Sequence, residues 1–334
     1  MAATLINDPG GDSLFKTIFS GMVLREYETR RLLSPLVTTR QVQRGKAVDF
    51  SLMGSVSPAY HTPGDNLIES TGYLTEPAHA KVNVQLNNRL VATTLLDEFS
   101  ALKNDFDARA HLSAEMGRAI ADREDRLIAQ ALVMAALGRR NGAASDTDMY
   151  TGEPAKGGII TIDEDTSTSA TRTNLLDALI EAASKLDEGN VPEDDRYFMI
   201  HSKYFKYLAG NTDAFNKDWG GAGALAEYKV PRVAGFQILK STNFPNVAAD
   251  TTPDAGENNE LDFDPTDIVS SSGNSGQLWG VAFHKSAAAC AKAMDIATTV
   301  DYKSEYLAHL ITASNVMGTA ALRRQSAVII AADD

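Results

Sequence analysis

The side chains that most often carry catalysis or bind metal ions are scattered through this chain. None of the histidines stands in an H-x-H, H-x-x-x-H or H-E-x-x-H pattern, which would bring two ring nitrogens to one metal ion. The six are His61, His79, His111, His201, His284 and His309. The only cysteine, Cys290, lies among alanines in SAAACAKA, where we expect a small buried side chain. The sequence therefore predicts no metal site and no cofactor, and it excludes an internal disulfide.

A hydrolase is the one enzyme class for which the sequence offers some of the parts. The stretch SSGNSGQ contains Ser275, and His284 follows within ten residues. The pattern is not G-x-S-x-G, however, and it follows an acidic stretch rather than a buried strand. The glycines of WGGAGAL at 219–225 also lack the lysine and the preceding strand of a phosphate-binding loop. We therefore predict that the chain is not an enzyme, and we keep a soluble α/β hydrolase as an alternative.

The composition is typical of a globular protein, and the charge distribution shows no basic surface for binding nucleic acid. The chain has 334 residues, of which 43% are hydrophobic, and its formal net charge is −13. Residues 141–280 hold 10 Lys and Arg against 23 Asp and Glu, so all the excess acidity lies in the middle of the chain. A protein that recognises nucleic acid directly would show a basic stripe. Because no long apolar run or signal segment is visible, we expect a soluble protein, intracellular when made, with no membrane partner.

The first third of the chain predicts an arm followed by an unusually long ribbon. Residues 1–45 mix helical and extended character and are too polar to form a core alone, so we expect them to pack on something else. From Lys46 the pattern alternates with period two, and it does so again near Val82 and Val84, which predicts paired strands. The connection between these strands contains SVSPAYHTPGDNLIES and is far longer than an ordinary hairpin loop. An apolar-dotted tip of this kind needs a surface to lie on.

The remaining sequence predicts a long helix, an α/β block and closing strands. Residues 105–137 show helical spacing over about 45 Å, which suggests a spine against which a sheet packs. The block that follows alternates helix and strand, beginning with the amphipathic RTNLLDALIEAASKLDEG. Three strands then close the chain. The predicted fold class is α+β.

Four passages carry a resemblance to a known family. They are TTRQVQRGKAVDFSLMGSVSPAYHTPGDNL, VPEDDRYFMIHSKYFKYL, VAGFQILKSTNFP and WGVAFHKSAAACAKAMDIATTVDY. Their content and order resemble the HK97-like major capsid proteins of tailed bacteriophages, and most specifically those of the short-tailed, T7-like phages (podoviruses). The resemblance covers roughly residues 30–334.

The resemblance implies an HK97-like capsid fold and a structural role in the virion capsid. It places the N-arm at 1–45, the E-loop at 46–93, the P-domain with its spine helix 105–137 at 94–172, the A-domain at 173–292, return strands of the P-domain at 293–322 and a C-terminal strand at 323–334. Copies are expected to assemble as hexamers and pentamers into an icosahedral shell around double-stranded DNA. The expected inter-subunit contacts are Arg40, Arg44, Tyr60, His61, Pro63, Gly64, Asp65, Asn66, Leu67 and Tyr73.

The resemblance also implies partners and leaves one alternative open. Fewer than 50 residues precede the ribbon, so we expect a separately encoded scaffolding protein. A portal protein, decoration proteins and packaged DNA without sequence-specific binding complete the expected partners, with assembly in the host cytoplasm. A Lys–Asn cross-link is not expected, because residues 54–80 contain no lysine and Lys46 and Lys81 lie at the base of the ribbon. An encapsulin-type compartment shell, which encloses cargo enzymes, is the alternative within the same fold.

Overall fold

The structure is a computed structural model that describes nine stretches of the chain. They are residues 9–53, 58–68, 79–97, 108–140, 143–144, 158–163, 168–210, 232–244 and 277–333. The helices are α1 (Pro9–Arg30), α2 (Ala108–Leu137), α3 (Thr168–Glu188) and α4 (Phe205–Ala209). Short 3-10 turns occupy Ser34–Leu36 and Arg324–Ser326. None of the helices in these stretches combines the length and the apolarity that a membrane span requires.

The described strands form two large sheets and two small ones. They are β1 (Thr38–Gln41), β2 (Ala47–Met53), β3 (His79–Gln85), β4 (Leu90–Asp97), β5 (Arg139–Arg140), β6 (Ala143–Ala144), β7 (Gly158–Asp163), β8 (Arg196–His201), β9 (Arg232–Val233), β10 (Phe236–Ser241), β11 (Gln277–His284), β12 (Ala288–Lys303), β13 (Ala308–Ala321) and β14 (Ala327–Asp333). The large sheets have the orders β7-β14-β11-β8-β10-β9 and β1-β12-β13-β4. Strands β2 and β3 pair only with each other, as do β5 and β6.

The six-stranded sheet is covered by helices on both faces. Its strands alternate between two buried sets of apolar side chains, as expected for a sheet enclosed on both sides. One set packs against α3 and α4, and it includes Phe198 and Trp279. The other packs against the C-terminal half of α2, and it includes Met199 and Phe283. This sheet therefore has a buried core on each of its two faces.

Helices cover the four-stranded sheet on one face only. Phe19, Val23 and Tyr27 of α1 join the N-terminal half of α2 on that face, against side chains such as Val300 and Ile311. Helix α2 has 30 residues, or about 45 Å of length, and so reaches both large sheets. We call α2 the spine helix, because one continuous helix contributes to both cores.

Two glycines allow unusually close backbone approaches. A Cβ atom at Gly117 of the spine helix would lie 2.7 Å from the carbonyl oxygen of Val23, so α1 crosses the spine at a distance that only glycine permits. A Cβ atom at Gly318 of β13 would overlap with the carbonyl oxygen of Gln85, at the end of β3. These contacts seat the arm and the base of the ribbon on the rest of the subunit.

The predicted ribbon is confirmed, but its base does not depend on a neighbouring subunit. Strands β2 and β3 pair antiparallel, with Val48 opposite Val84 and Phe50 opposite Val82. The inward side chains of the ribbon pack on alanines of β12 and β13, within the same chain. The arm likewise packs on its own subunit, through α1. The expectation that arm and ribbon need an outside surface is therefore wrong for these two parts, because the subunit's own sheet and spine cover them.

The structure also divides the second half of the chain differently from the sequence pattern. The first of the three predicted closing strands, GQLWGVAFHKSAAACAKAMDIATTVDY at 276–302, is two strands in two different sheets. They are separated by a turn where Ala287 donates its backbone N–H to the carbonyl of His284. Strand β7 and strand β14 pair in parallel inside the six-stranded sheet. That sheet therefore takes in strands from outside residues 173–292, while the domain boundaries themselves stay a prediction.

Candidate assembly surfaces

The described part of the ribbon tip, residues 58–68, is exposed along its whole length. Tyr60 is fully exposed, Ile68 is 78% exposed and Leu67 is more than half exposed. Large apolar side chains grouped in this way mark contact surfaces more often than free surfaces. The tip is therefore the first candidate assembly surface.

The polar residues of the tip fix its shape. The Asp65 backbone N–H donates to the Thr62 carbonyl at 3.1 Å, and Gly64 has φ +101°. Together with Pro63, these features are those of a type II turn, which needs glycine at its third position. Nε2 of His61 lies 3.0 Å from the Asp65 carbonyl oxygen, and Oδ1 of Asn66 accepts the Ile68 N–H at 3.0 Å. His61, Gly64, Asp65 and Asn66 thus hold the turn that presents Tyr60 and Leu67.

The two predicted arginine contacts lie at the base of the ribbon rather than at its tip. Arg40 Nη1 donates to the backbone carbonyl of Asp49 at 3.1 Å, which ties β1 to β2 within the subunit. Arg44 is exposed in the turn between these strands. Tyr73 lies outside the described residues. The structure therefore brings together the predicted residues 60–67 but places Arg40 and Arg44 apart from them.

The helix-free face of the four-stranded sheet is a second candidate surface where the base of the ribbon leaves it open. Val91 and Leu95 on β4 are each about half exposed, and Leu310 pairs with Leu95 across the sheet. Val91 and Leu95 lie on one face because side chains alternate along a strand. The opposite face carries α1 and the spine helix. Sequence analysis missed this surface, although the alternation of LVATTLLD contained the signal.

A third surface is the turn between β12 and β13, which the sequence analysis also missed. Tyr302, Tyr306 and Leu307 are exposed there, and Leu307 has φ +47°, a left-handed conformation that is costly for a branched side chain. The turn stands at the end of the two longest strands that the structure describes. An apolar, strained tip in this place is suited to contact another protein surface.

Under these surfaces lies a buried polar cluster that links the arm, the spine and the four-stranded sheet. Glu124 of the spine helix is 0% exposed and pairs with Lys292 of β12. The Tyr27 hydroxyl donates to Glu124, and Asn315 Nδ2 donates to the same carboxylate at 3.3 Å. Lys292 Nζ also donates to the Tyr27 hydroxyl at 3.2 Å. The carboxylate thus receives a donor from each of three elements.

The pKa values in this cluster follow from burial and from the pairing. Burial, followed by the Glu124 carboxylate, raises the pKa of Tyr27 to about 12. Burial acts to lower the pKa of Lys292, but Glu124 and Tyr27 outweigh it and hold that pKa above its ordinary value. The lysine is therefore charged and the tyrosine neutral at neutral pH.

The neighbouring residue Asp125 ends the arm helix. Its two carboxylate oxygens accept the backbone N–H groups of Leu32 and Leu33, each at 2.9 Å, just beyond α1. Burial raises the pKa of Asp125 from 3.8 to about 6, against the lowering effect of these two hydrogen bonds. Asp125 is thus a titratable group at the junction of arm and spine.

We predict that this group makes subunit stability depend on pH. The folded state binds the Asp125 proton more tightly than the unfolded chain does, so the contribution of this group to stability grows as the pH falls through 6 and levels off below about 4. The two-unit shift corresponds to about 3 kcal/mol at most. Urea denaturation of unassembled wild-type and Asp125→Asn subunits between these limits measures the difference.

The difference between the two proteins isolates Asp125 from other titrating groups. Burial lowers the pKa of His201 and of His284, which makes acid unfavourable for folding. That opposite trend is the same in both proteins and cancels. If the stability curves of wild type and variant run parallel with pH, Asp125 is not the group described here.

Comparison with known proteins identifies the chain. The family model for major capsid proteins of the Gp10A-like type matches residues 49–331. The chain belongs to the Gp10A-like major capsid proteins. The major capsid protein of Enterobacteria phage T3 is 24% identical over 325 residues, which cover 94% of this chain and 90% of the relative.

Solved structures agree with this capsid family. The capsid of the cyanophage P-SCSP1u superposes with a TM-score of 0.74 and 28% sequence identity, and the match covers 91% of this chain and 88% of that one. The mature capsid of bacteriophage PhiM1 gives a TM-score of 0.69 at 16% identity, covering 91% and 87% of the two chains. The predicted HK97-like α+β fold and the predicted function as a major capsid protein of tailed phages are confirmed.

Proposed function

We propose that copies of this capsid protein assemble as hexamers and pentamers into an icosahedral shell that encloses double-stranded phage DNA. The observation that carries the proposal is the exposed apolar ribbon tip, which stands on a base packed within its own subunit. In a free subunit the apolar side chains of the tip are exposed to water, which is unfavourable in free energy. Contact with a neighbouring subunit removes that exposure. Interfaces between unlike patches of identical copies close into rings when the rotation permits.

The open part of the helix-free face of the four-stranded sheet, around Val91 and Leu95, is the surface that we assign to the tip. Both surfaces are apolar at their centres, with Tyr60, Leu67 and Ile68 on the tip and Val91 and Leu95 on the sheet. These side chains lose contact with water when the two surfaces meet. Their burial stabilises the contact by roughly 25 cal/mol for each Å² of apolar area removed from water. The tip of one copy would then cover the sheet of the next.

The proposed partners extend beyond the shell itself. A separately encoded scaffolding protein directs assembly in the host cytoplasm, a portal protein occupies one vertex, and decoration proteins bind outside. The packaged DNA is held without sequence-specific contacts. The net charge of −13 supports this last point, because a strongly basic inner surface would bind phosphates tightly and resist the movement of DNA.

A role without catalysis is part of the proposal. The candidate nucleophile of a hydrolase, Ser275, lies outside the described residues. Nδ1 of its candidate partner His284 lies 2.9 Å from Oγ of Ser286 and accepts the Ser286 backbone N–H at 3.2 Å. These bonds close the turn between β11 and β12, which gives His284 a structural explanation.

The proposal is tested by expressing the chain with and without a candidate scaffolding protein and imaging the product by electron microscopy. We expect closed shells of regular size. A stable monomer or dimer under all conditions contradicts the proposal. Shells purified from cells that package phage DNA should hold that DNA, whereas an encapsulin-type compartment should hold protein cargo.

A further inference from the structure

The six-stranded sheet carries a basic surface near one of its edges. Residues 196–210 and 232–244, which form β8, α4, β9 and β10, contain no Asp or Glu. Lys203, Lys206 and Lys240 are exposed there. The charge of this surface is opposite in sign to the net charge of the chain, which is −13. We call these three lysines the basic face.

The basic face is held in place by aromatic rings. Lys203 Nζ lies 5.2 Å from the ring centroid of Tyr204, and Lys206 Nζ lies 4.7 Å from that of Tyr207. Both tyrosine rings stack nearly parallel to Trp279, which is buried. Cation–π contacts restrict the lysine rotamers. The ammonium groups are therefore presented to solvent with less side-chain entropy to lose on binding.

An acidic surface lies on the other helix of the same layer. Asp177, Ile180 and Glu181 follow one another at helical spacing on the exposed side of α3, and Ile180 is 54% exposed. Glu181 is partly balanced by Lys185 at 3.2 Å. We call these three residues the acidic face. Ile180 gives this face an apolar side chain between the two carboxylates.

The two faces lie over different parts of the sheet. Helix α3 packs on β7 and β14, at one edge, whereas Lys240 belongs to β10, next to the opposite edge, and Lys240 Nζ lies 5.3 Å from the ring of Phe205 in α4. Among the described residues, no carboxylate is within ion-pair distance of Lys203 or Lys206, and no cation is within that distance of Asp177. Helices α3 and α4 contact each other, so the two faces of opposite charge lie side by side in one layer, toward different edges of the sheet. Lys203, Lys206 and Asp177 have no ion-pair partner within the described chain.

We propose that the basic face docks on the acidic face of a second copy of this chain. A head-to-tail contact of unlike patches repeats from copy to copy and closes a ring. We assign a second copy as the binding partner because this chain carries both charged faces and the exposed Ile180. The two faces also lie toward different edges of the sheet. This inference rests on the proposed function, and it names the contact that holds one ring together.

Charge reversal tests the contact. We expect Lys206→Glu and Asp177→Lys each to lower the yield of shells at low salt by about fivefold or more, because an attraction repeated around the ring becomes a repulsion. The defect should shrink at about 1 M salt, where the screening length is only about 3 Å. Lys285→Glu changes the net charge by the same amount as Lys206→Glu, at an exposed site outside both faces, and should leave the yield unchanged. Thermal unfolding of the unassembled subunits checks that all variants are folded.

Mixing the two defective variants separates a contact between copies from one within a copy. In an alternating ring, the glutamate introduced at position 206 meets the lysine introduced at position 177 of the next copy, and the unchanged Lys206 meets the unchanged Asp177. An equal mixture of Lys206→Glu and Asp177→Lys subunits should therefore recover hexamers, whereas a pentamer cannot alternate and should recover less. If the mixture assembles no better than either variant alone, the inference is overturned, and so it is if Lys206→Glu assembles as wild type does. If wild type itself forms no shells, the proposed function fails instead.

Discussion

Replacing Lys292 with alanine is expected to destabilise the folded subunit by about 3 to 5 kcal/mol, because the variant leaves a buried carboxylate without its cation. Glu124 is fully buried, and only the Tyr27 hydroxyl and the Asn315 amide would remain to hold its charge. The measurement is urea denaturation of the unassembled subunit at neutral pH. We expect the arm to be affected as well, since Tyr27 belongs to α1.

Two control variants test whether the loss of stability comes from the uncompensated charge of Glu124. Lys303 lies on the same strand but is exposed, so Lys303→Ala should change stability by less than about 0.5 kcal/mol. Replacing both partners, as Glu124→Leu with Lys292→Met, should recover much of the loss, because no uncompensated charge is then buried. If Lys292→Ala costs no more than Lys303→Ala, water reaches Glu124 and the cluster does not join arm to spine.

The second large effect is expected at the ribbon tip, on assembly rather than on folding. A variant with Tyr60→Ser, Leu67→Ser and Ile68→Ser should fail to form closed shells, because the tip loses the apolar area by which it binds a neighbour. Stability of the free subunit should change by less than about 0.5 kcal/mol, since the three side chains are exposed. Electron microscopy and denaturation measure the two quantities separately.

A matched control shows whether any exposed apolar residue would act alike. Leu24 belongs to α1 and is 45% exposed, so Leu24→Ser is the matched control for the single tip change Leu67→Ser, since Leu67 is 56% exposed. We expect Leu24→Ser to assemble normally. Shells of ordinary yield from the triple tip variant would show that the tip is not an assembly contact.

The sequence was informative wherever periodicity and local chemistry agreed. Alternation at Val48, Phe50, Val82 and Val84 predicted the ribbon, and the register of β2 with β3 confirms it. Helical spacing predicted the spine helix and the amphipathic helix in RTNLLDALIEAASKLDEG, whose final glycine, Gly189, directly follows α3. These features depend on neighbours a few residues away, which a pattern can report.

The buried cluster was beyond prediction because its members meet only in the folded chain. Glu124 stands in the run REDRL, which has the composition of a solvated helix face, and Lys292 follows an alanine-rich stretch more than 160 residues later. The division of residues 277–303 between two sheets was missed for a related reason. Both strands are apolar, and the turn between them, HKSA, has no proline or glycine to mark it.

The spine helix also acts as a mechanical coupling. A single rod shared by two hydrophobic cores prevents the two large sheets from hinging independently, since any relative rotation must strain the rod or unpack one of the cores. Each subunit in the proposed shell therefore behaves as a tile of nearly fixed angle. The local curvature that separates fivefold from sixfold surroundings must then be taken up at the margins of the tile, by the ribbon tip and the turns that carry it.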